Sequence, residues 1–169
     1  MLSALREELH IVERYMSEGY WEKIDFEEVP SRAHFLLRKA FGKHQAERYL
    51  RYKNSLSKGT VKVNTAGIQP HTLVQVYMNG GKFDQIIESQ WQTIVEKIKE
   101  IGTFSESLAV VDVSGSMSGT PMDVAITLGL MTSELTDEPF RNKCITFSAS
   151  PKLHNIQGAT LRERVLNVR

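Results

Sequence analysis

The sequence predicts a mixed α/β chain in two parts, a helical region over residues 1–102 and an incomplete α/β module over residues 103–169. Three observations carry this. Apolar residues recur at helical intervals through the first half of the chain. The stretch Leu108 to Val113 (LAVVDV) is instead a continuous, β-branched run of the kind that fills a strand buried on both faces of a parallel sheet. A helix start then follows, so that strand, loop and helix succeed one another as in an α/β unit.

The elements can be justified in order. Leu5, Leu9, Val12 and Met16 lie at three- and four-residue intervals and predict an amphipathic helix from Ser3 to about Tyr20, ended by Gly19. Asp25 to Ser31 (DFEEVPS) breaks with a proline, helical character resumes over Ala33 to Phe41, and a charged helix spans His44 to Leu56. Ser57 to Pro70 carries two glycines and a proline and reads as a loop. Helices over about 71–78 and 83–100 complete the first region. After Gly102 come the apolar strand, a helix to about Leu135, a strand Lys143 to Phe147 (KCITF), a turn Ser148 to Pro151, and a strand Lys152 to Ile156 antiparallel to its predecessor. Thr120, with Pro121 next and Asp123 three residues on, is expected to cap the first of these helices; Thr160 and Glu163 form a capping box for the last.

Composition excludes more than it selects. The 21 basic and 20 acidic side chains nearly cancel, so no global field draws the chain to nucleic acid or anionic lipid. The single cysteine, Cys144, can form no internal disulfide and no multi-cysteine zinc site, and reads as a small buried hydrophobe in a reducing compartment. The first residues, MLSALREELHIVERY, lack the apolar core of a signal peptide, and no window approaches the ~20 apolar residues of a membrane helix. An intracellular protein, cytoplasmic or nuclear, is the expectation.

The chemistry concentrates in Asp112 to Gly119 (DVSGSMSG). A phosphate-binding P-loop requires a Gly-Lys-Ser/Thr ending, and this loop has no lysine. A nucleophile elbow requires serine at the centre of Gly-x-Ser-x-Gly, where this chain has Met117. An EF-hand wants acidic or amide groups at alternate positions and a glutamate at the twelfth, and serines followed by a helix do not supply them. A metal-assisted phosphatase wants a second carboxylate near Asp112, and the residue two further on is Ser114. Asp112, Ser114 and Ser116 at i, i+2 and i+4 instead offer three hard oxygens, suited to Mg²⁺ or Mn²⁺ with water and an outside ligand completing the shell. The competing structural reading is that Asp112 caps the turn and the serines bond loop amides.

Asp112-Val113-Ser114-Gly115-Ser116 between a strand and a helix resembles the metal-ion-dependent adhesion site of von Willebrand factor A domains. The run VVDVSGSMSGTPMDVAITLGLMTSELT, the later ITFSASPKLHNIQG, and the lead-in segments VPSRAHFLLRKAF and QWQTIVEKIKEIG together resemble an uncharacterised family of plants and giant viruses that joins a helical region to a von Willebrand A-like domain. More remotely, helices followed by an A-type domain are similar to the organisation of Ro-type (TROVE) RNA-binding proteins. The resemblance implies a partial von Willebrand A-type (Rossmann-like) module. Against that family's pattern, the module is expected to stop before the loops that supply a threonine and a further aspartate to the metal, and its first strand to keep an open edge.

The implied function is non-catalytic, with an unidentified protein offering a carboxylate to the metal. The alternative is RNA binding by the helical region through Arg38, Lys39, Lys43, Arg48, Arg51 and Lys53, with Tyr49 and Tyr52 interleaved. A solvated helix face explains the same cations. His10, His34, His44, His71 and His154 lack zinc spacing and read as surface or packing residues. Trp21 and Trp91 read as core anchors.

Overall fold

A computed structural model of the chain describes residues 11–147 and 149–169. The chain forms two compact units that divide after Gly67. The change of composition near residue 102, where strands begin, is a different boundary from this one. The first ten residues, with Leu5, Leu9 and His10, lie outside the described residues, as does Ser148 in the turn between the last two strands.

In the first unit, α1 (Val12–Glu18) stops at Gly19, whose φ of 81° lets its N–H reach back to Met16 while Tyr20 reaches Tyr15. A single 3₁₀ turn, Trp21–Lys23, leads to α2 (Ser31–His44) and α3 (Ala46–Ser57). The charged helix expected from His44 therefore begins two residues later, after a break at Gln45. The core is aromatic. Phe26 lies with its ring centroid 5.3 Å from Phe41, 5.0 Å from Tyr49 and 5.7 Å from Tyr52. His34 is wholly buried among them, with Nε2 3.1 Å from the Tyr49 hydroxyl. Trp21 departs from expectation: it is half-buried and stacks on His44 at 4.0 Å.

In the second unit, α4 (Pro70–Met78) and α5 (Gln85–Ile101) precede β1 (Ala109–Asp112), α6 (Thr120–Leu135), β2 (Lys143–Phe147), β3 (Lys152–Asn155) and α7 (Leu161–Val168). The three strands form one sheet in the order β1-β2-β3, with β1 parallel and β3 antiparallel to β2. This is a mixed α/β unit with a small sheet. α6 packs on β1 so closely that Gly129 meets Val111, and α4, α5 and α7 gather around α6.

Two local expectations are corrected. β1 is not buried on both faces: Val111 is 2% exposed and Val110 is 63% exposed, because α6 covers one side of the strand only. Thr120 is not the cap of α6. Gly119, with φ 89°, takes that position without a side-chain bond, and the Asp123 carboxylate turns inward to accept a 2.9 Å bond from Gln75 Nε2. The Thr160–Glu163 capping box of α7 forms as expected. Trp91 is a core anchor, its Nε1 donating to Glu134 at 3.1 Å.

Candidate metal-binding loop

β1 delivers Asp112 to the C-terminal end of the parallel pair, where ligands of open α/β sheets bind. Val113 N–H donates to Phe147 O at 3.0 Å and extends the ladder by one bond before the chain turns away. Gly115–Met117 then make a single 3₁₀ turn, closed by Met117 N–H on Ser114 O at 3.0 Å. Gly119 supplies the positive φ that redirects the chain into α6.

The loop draws the three predicted ligands together. Asp112 Oδ1 accepts the Ser114 N–H at 2.9 Å, and the Ser114 and Ser116 hydroxyl oxygens are 3.0 Å apart. Asp112 and Ser114 are half-buried and Ser116 is exposed, so the oxygens stand open to solvent. The Ser114 hydroxyl, and then its backbone N–H, hold the Asp112 carboxyl below its ordinary range by bonding the charged form. An ionised carboxylate with two hydroxyls is a hard-oxygen donor set that fits Mg²⁺ or Mn²⁺ at three of six octahedral positions. The same bonds also satisfy the loop without metal, as an Asx turn with paired serines. Among the described residues no group of three or more His, Cys, Asp or Glu side chains is placed to hold a metal.

Beside the loop lies a cleft of about 340 Å³ lined by Gln75, Val113, Ser118, Gly119, Asp123 and Arg169, among others. Arg169 Nη1 donates to Met78 O at 3.1 Å at its rim. Sequence reasoning passed over this cleft, because α4 and the end of α7 are far from the loop in sequence. It also missed the buried polar contacts behind the loop. Glu88 on α5 accepts the first α7 amide, Leu161 N–H, at 2.8 Å, and Arg164 pairs with Glu134. Burial raises the Glu88 carboxyl, against the lowering bonds from Leu161 and Gln92.

The six cations of the α2–α3 segment do not form one face. Arg38 lies over Phe35 at 4.5 Å, Arg48 over Phe26 at 5.3 Å and Lys53 over Tyr49 at 5.4 Å. Arg48 Nη2 also donates to Ile24 O at 3.0 Å. Arg51 approaches Glu47 at 3.8 Å, and Lys39 and Lys43 are exposed. No helix among the described residues is long and apolar enough to cross a membrane.

A family model described as a domain of unknown function (DUF2828) matches residues 1–104, and a second, also a domain of unknown function (DUF7788), matches residues 106–169. An uncharacterised protein of Acanthamoeba polyphaga mimivirus, L728, is 42% identical over 178 residues, which cover 98% of this chain and 31% of that protein. The chain thus spans about a third of the length of the curated relative it matches. No solved structure matches.

Proposed function

This chain belongs to the DUF2828 family, and we propose that it is an intracellular, non-catalytic binding module whose β1–α6 loop holds a divalent cation through Asp112, Ser114 and Ser116. On this reading the second unit is a partial von Willebrand A-type module. The single observation that supports it most is the convergence of three hard oxygens at the open end of β1, with the Ser114 and Ser116 hydroxyls 3.0 Å apart beside an ionised Asp112. Mg²⁺ or Mn²⁺ takes these oxygens, and a carboxylate from a partner protein takes one of the positions left over. A thermal melt with and without millimolar Mg²⁺ or Mn²⁺, beside Asp112→Ala, tests the site. A ligand that binds only the folded state raises its stability. A rise lost in Asp112→Ala supports the reading, and no rise in a cooperatively folding chain refutes it for this chain.

A second reading, RNA binding with a Ro-like organisation, is favoured by charge. Between Pro30 and Gly67 the sequence carries nine lysines and arginines against one acid, Glu47. Of these, Arg32, Lys39, Lys43, Arg51, Lys58 and Lys62 are exposed. Phosphate binding by these cations falls steeply with salt and with their removal. Filter binding of a single-stranded RNA that stays undetectable at low salt refutes it.

A further inference from the structure

Tyr52 on α3 is 7% exposed, and its hydroxyl has no hydrogen-bond partner among the described residues. The hydroxyl of Tyr49, in the same aromatic core, lies 3.1 Å from His34 Nε2. A buried polar group left unbonded destabilises a fold, so one that persists points to a use outside the core. Tyr52 also lines a cavity of about 420 Å³ that opens between residues 25–27 and α3, together with Asp25, Glu27, Arg48, Arg51 and Ser55. That volume lies within the roughly 300–1,000 Å³ of small-molecule sites. Burial, and then the charges of Glu27 and Asp25, push the Tyr52 pKa up to about 12, so the hydroxyl stays a donor. Both of those carboxylates line the cavity, which places the hydroxyl on the cavity side of the ring cluster.

We propose that this cavity binds a guanine base. Two carboxylates balance two guanidiniums around it, which disfavours a simple anion or a lone metal ion and favours a ligand with both donors and acceptors. The Watson–Crick edge of guanine sets one acceptor, O6, beside two adjacent N–H donors, a pattern that no other RNA base presents. The Tyr52 O–H is the donor for O6, and a carboxylate accepts both N–H groups. Asp25 Oδ1 already accepts the Glu27 N–H at 3.0 Å, which leaves Glu27 as that carboxylate. Arg48, held over Phe26 at 5.3 Å with Nη2 donating to Ile24 O at 3.0 Å, supplies a fixed planar guanidinium of the kind on which bases stack. Arg51, exposed and 3.8 Å from Glu47, is the cation left for a phosphate. A free nucleotide and a guanine in single-stranded RNA share this chemistry, so the site goes beyond the RNA reading and does not depend on it.

The test is calorimetric titration of the whole chain with guanosine, adenosine, cytidine and uridine monophosphates, in chelator so that metal at Asp112 plays no part. The expected result is saturable binding of guanosine monophosphate, with the other three weaker by about tenfold or more. Glu27→Gln weakens guanosine monophosphate about tenfold or more, and Tyr52→Phe about three- to tenfold. Tyr52→Phe also melts no lower than its parent, because it removes a hydroxyl that bonds nothing in the free chain. A parallel titration with a single-stranded RNA carrying one guanine separates the sources. RNA bound more tightly than the mononucleotide, and released when that guanine becomes adenine, marks a strand as the ligand; binding of the mononucleotide alone marks a free nucleotide. No binding of either up to about 1 mM overturns the proposal. So do equal affinities for the four mononucleotides, an affinity indifferent to Tyr52→Phe, or a lower melting temperature in that variant, which would make the hydroxyl structural. RNA bound without regard to guanine also overturns it, while leaving the RNA reading standing.

Discussion

Placing a methyl group on Gly129 tests the closest approach in the second unit. A Cβ built there lies 2.3 Å from Val111 Cγ2, against the 3.4 Å at which ordinary contacts begin, so helix or strand must yield by a little over 1 Å. Val111 cannot easily turn away, since a β-branched side chain has few χ1 options and this one is buried against α6. Overpacking of this kind costs about 1–3 kcal/mol. Replacing glycine by alanine inside a helix returns about 1 kcal/mol. Gly129→Ala is therefore expected to destabilise the unit by up to about 2 kcal/mol. Val111→Ala alone loses packing, yet in combination it clears the space, so the double variant should be more stable than the sum of the singles predicts by about 1 kcal/mol or more. Urea denaturation followed by Trp91 emission in a Trp21→Phe background reads the second unit. A Gly129→Ala chain more stable than its parent, by the roughly 1 kcal/mol that helix propensity alone returns, would falsify the packing argument. Val111 adjoins Asp112, so the same variant is also expected to weaken any metal response of the loop.

Other predictions concern charge. Glu88 has its carboxyl raised by burial above the ordinary 4.5, so the native chain binds more protons in that window. Stability accordingly falls as pH rises from the unfolded value through the raised folded one, and Glu88→Gln should remove that fall; a pH series of melts with parallel curves for both chains would refute it. Arg164→Ala strands the Glu134 carboxylate, whose side chain is 16% exposed, and should cost about 3 kcal/mol in the same urea assay. A loss within 0.5 kcal/mol, the usual range for surface changes, would show that Trp91 and solvent suffice for that charge. Asp112 sits below its ordinary range, so a metal-dependent rise in melting temperature should persist at about pH 5 and vanish only as pH falls through the lowered value. Its disappearance already between about pH 5 and 6 would point to another ligand.

Much of the second unit was legible because its signals are local. KCITF and the Thr160–Glu163 box carry periodicity and capping chemistry within a few residues, and both form where they were expected. The loop itself places Ser114 N–H on Asp112 Oδ1 and the Ser114 and Ser116 hydroxyls 3.0 Å apart, contacts between residues only two positions apart. Thr120 misled because Gly119, at φ 89°, sets the start of α6 one residue earlier than the capping pattern implies. For the six cations of α2 and α3, sequence proximity does not say which rings a side chain finds. Arg38, Arg48 and Lys53 each settle over an aromatic ring of their own unit.

What the sequence determined by itself is the order and kind of the elements, since these depend on neighbours within a few residues. Tertiary structure alone decided the rest. It chose which face of the sheet is covered, leaving Val110 and Leu153 bare, and it brought Glu88 to an amide 73 positions away. It also opened a cleft between α4 and the Asp112 loop. A strand's pattern records that its side chains alternate, but whether a helix lies over each side depends on how distant segments pack, which no local pattern encodes.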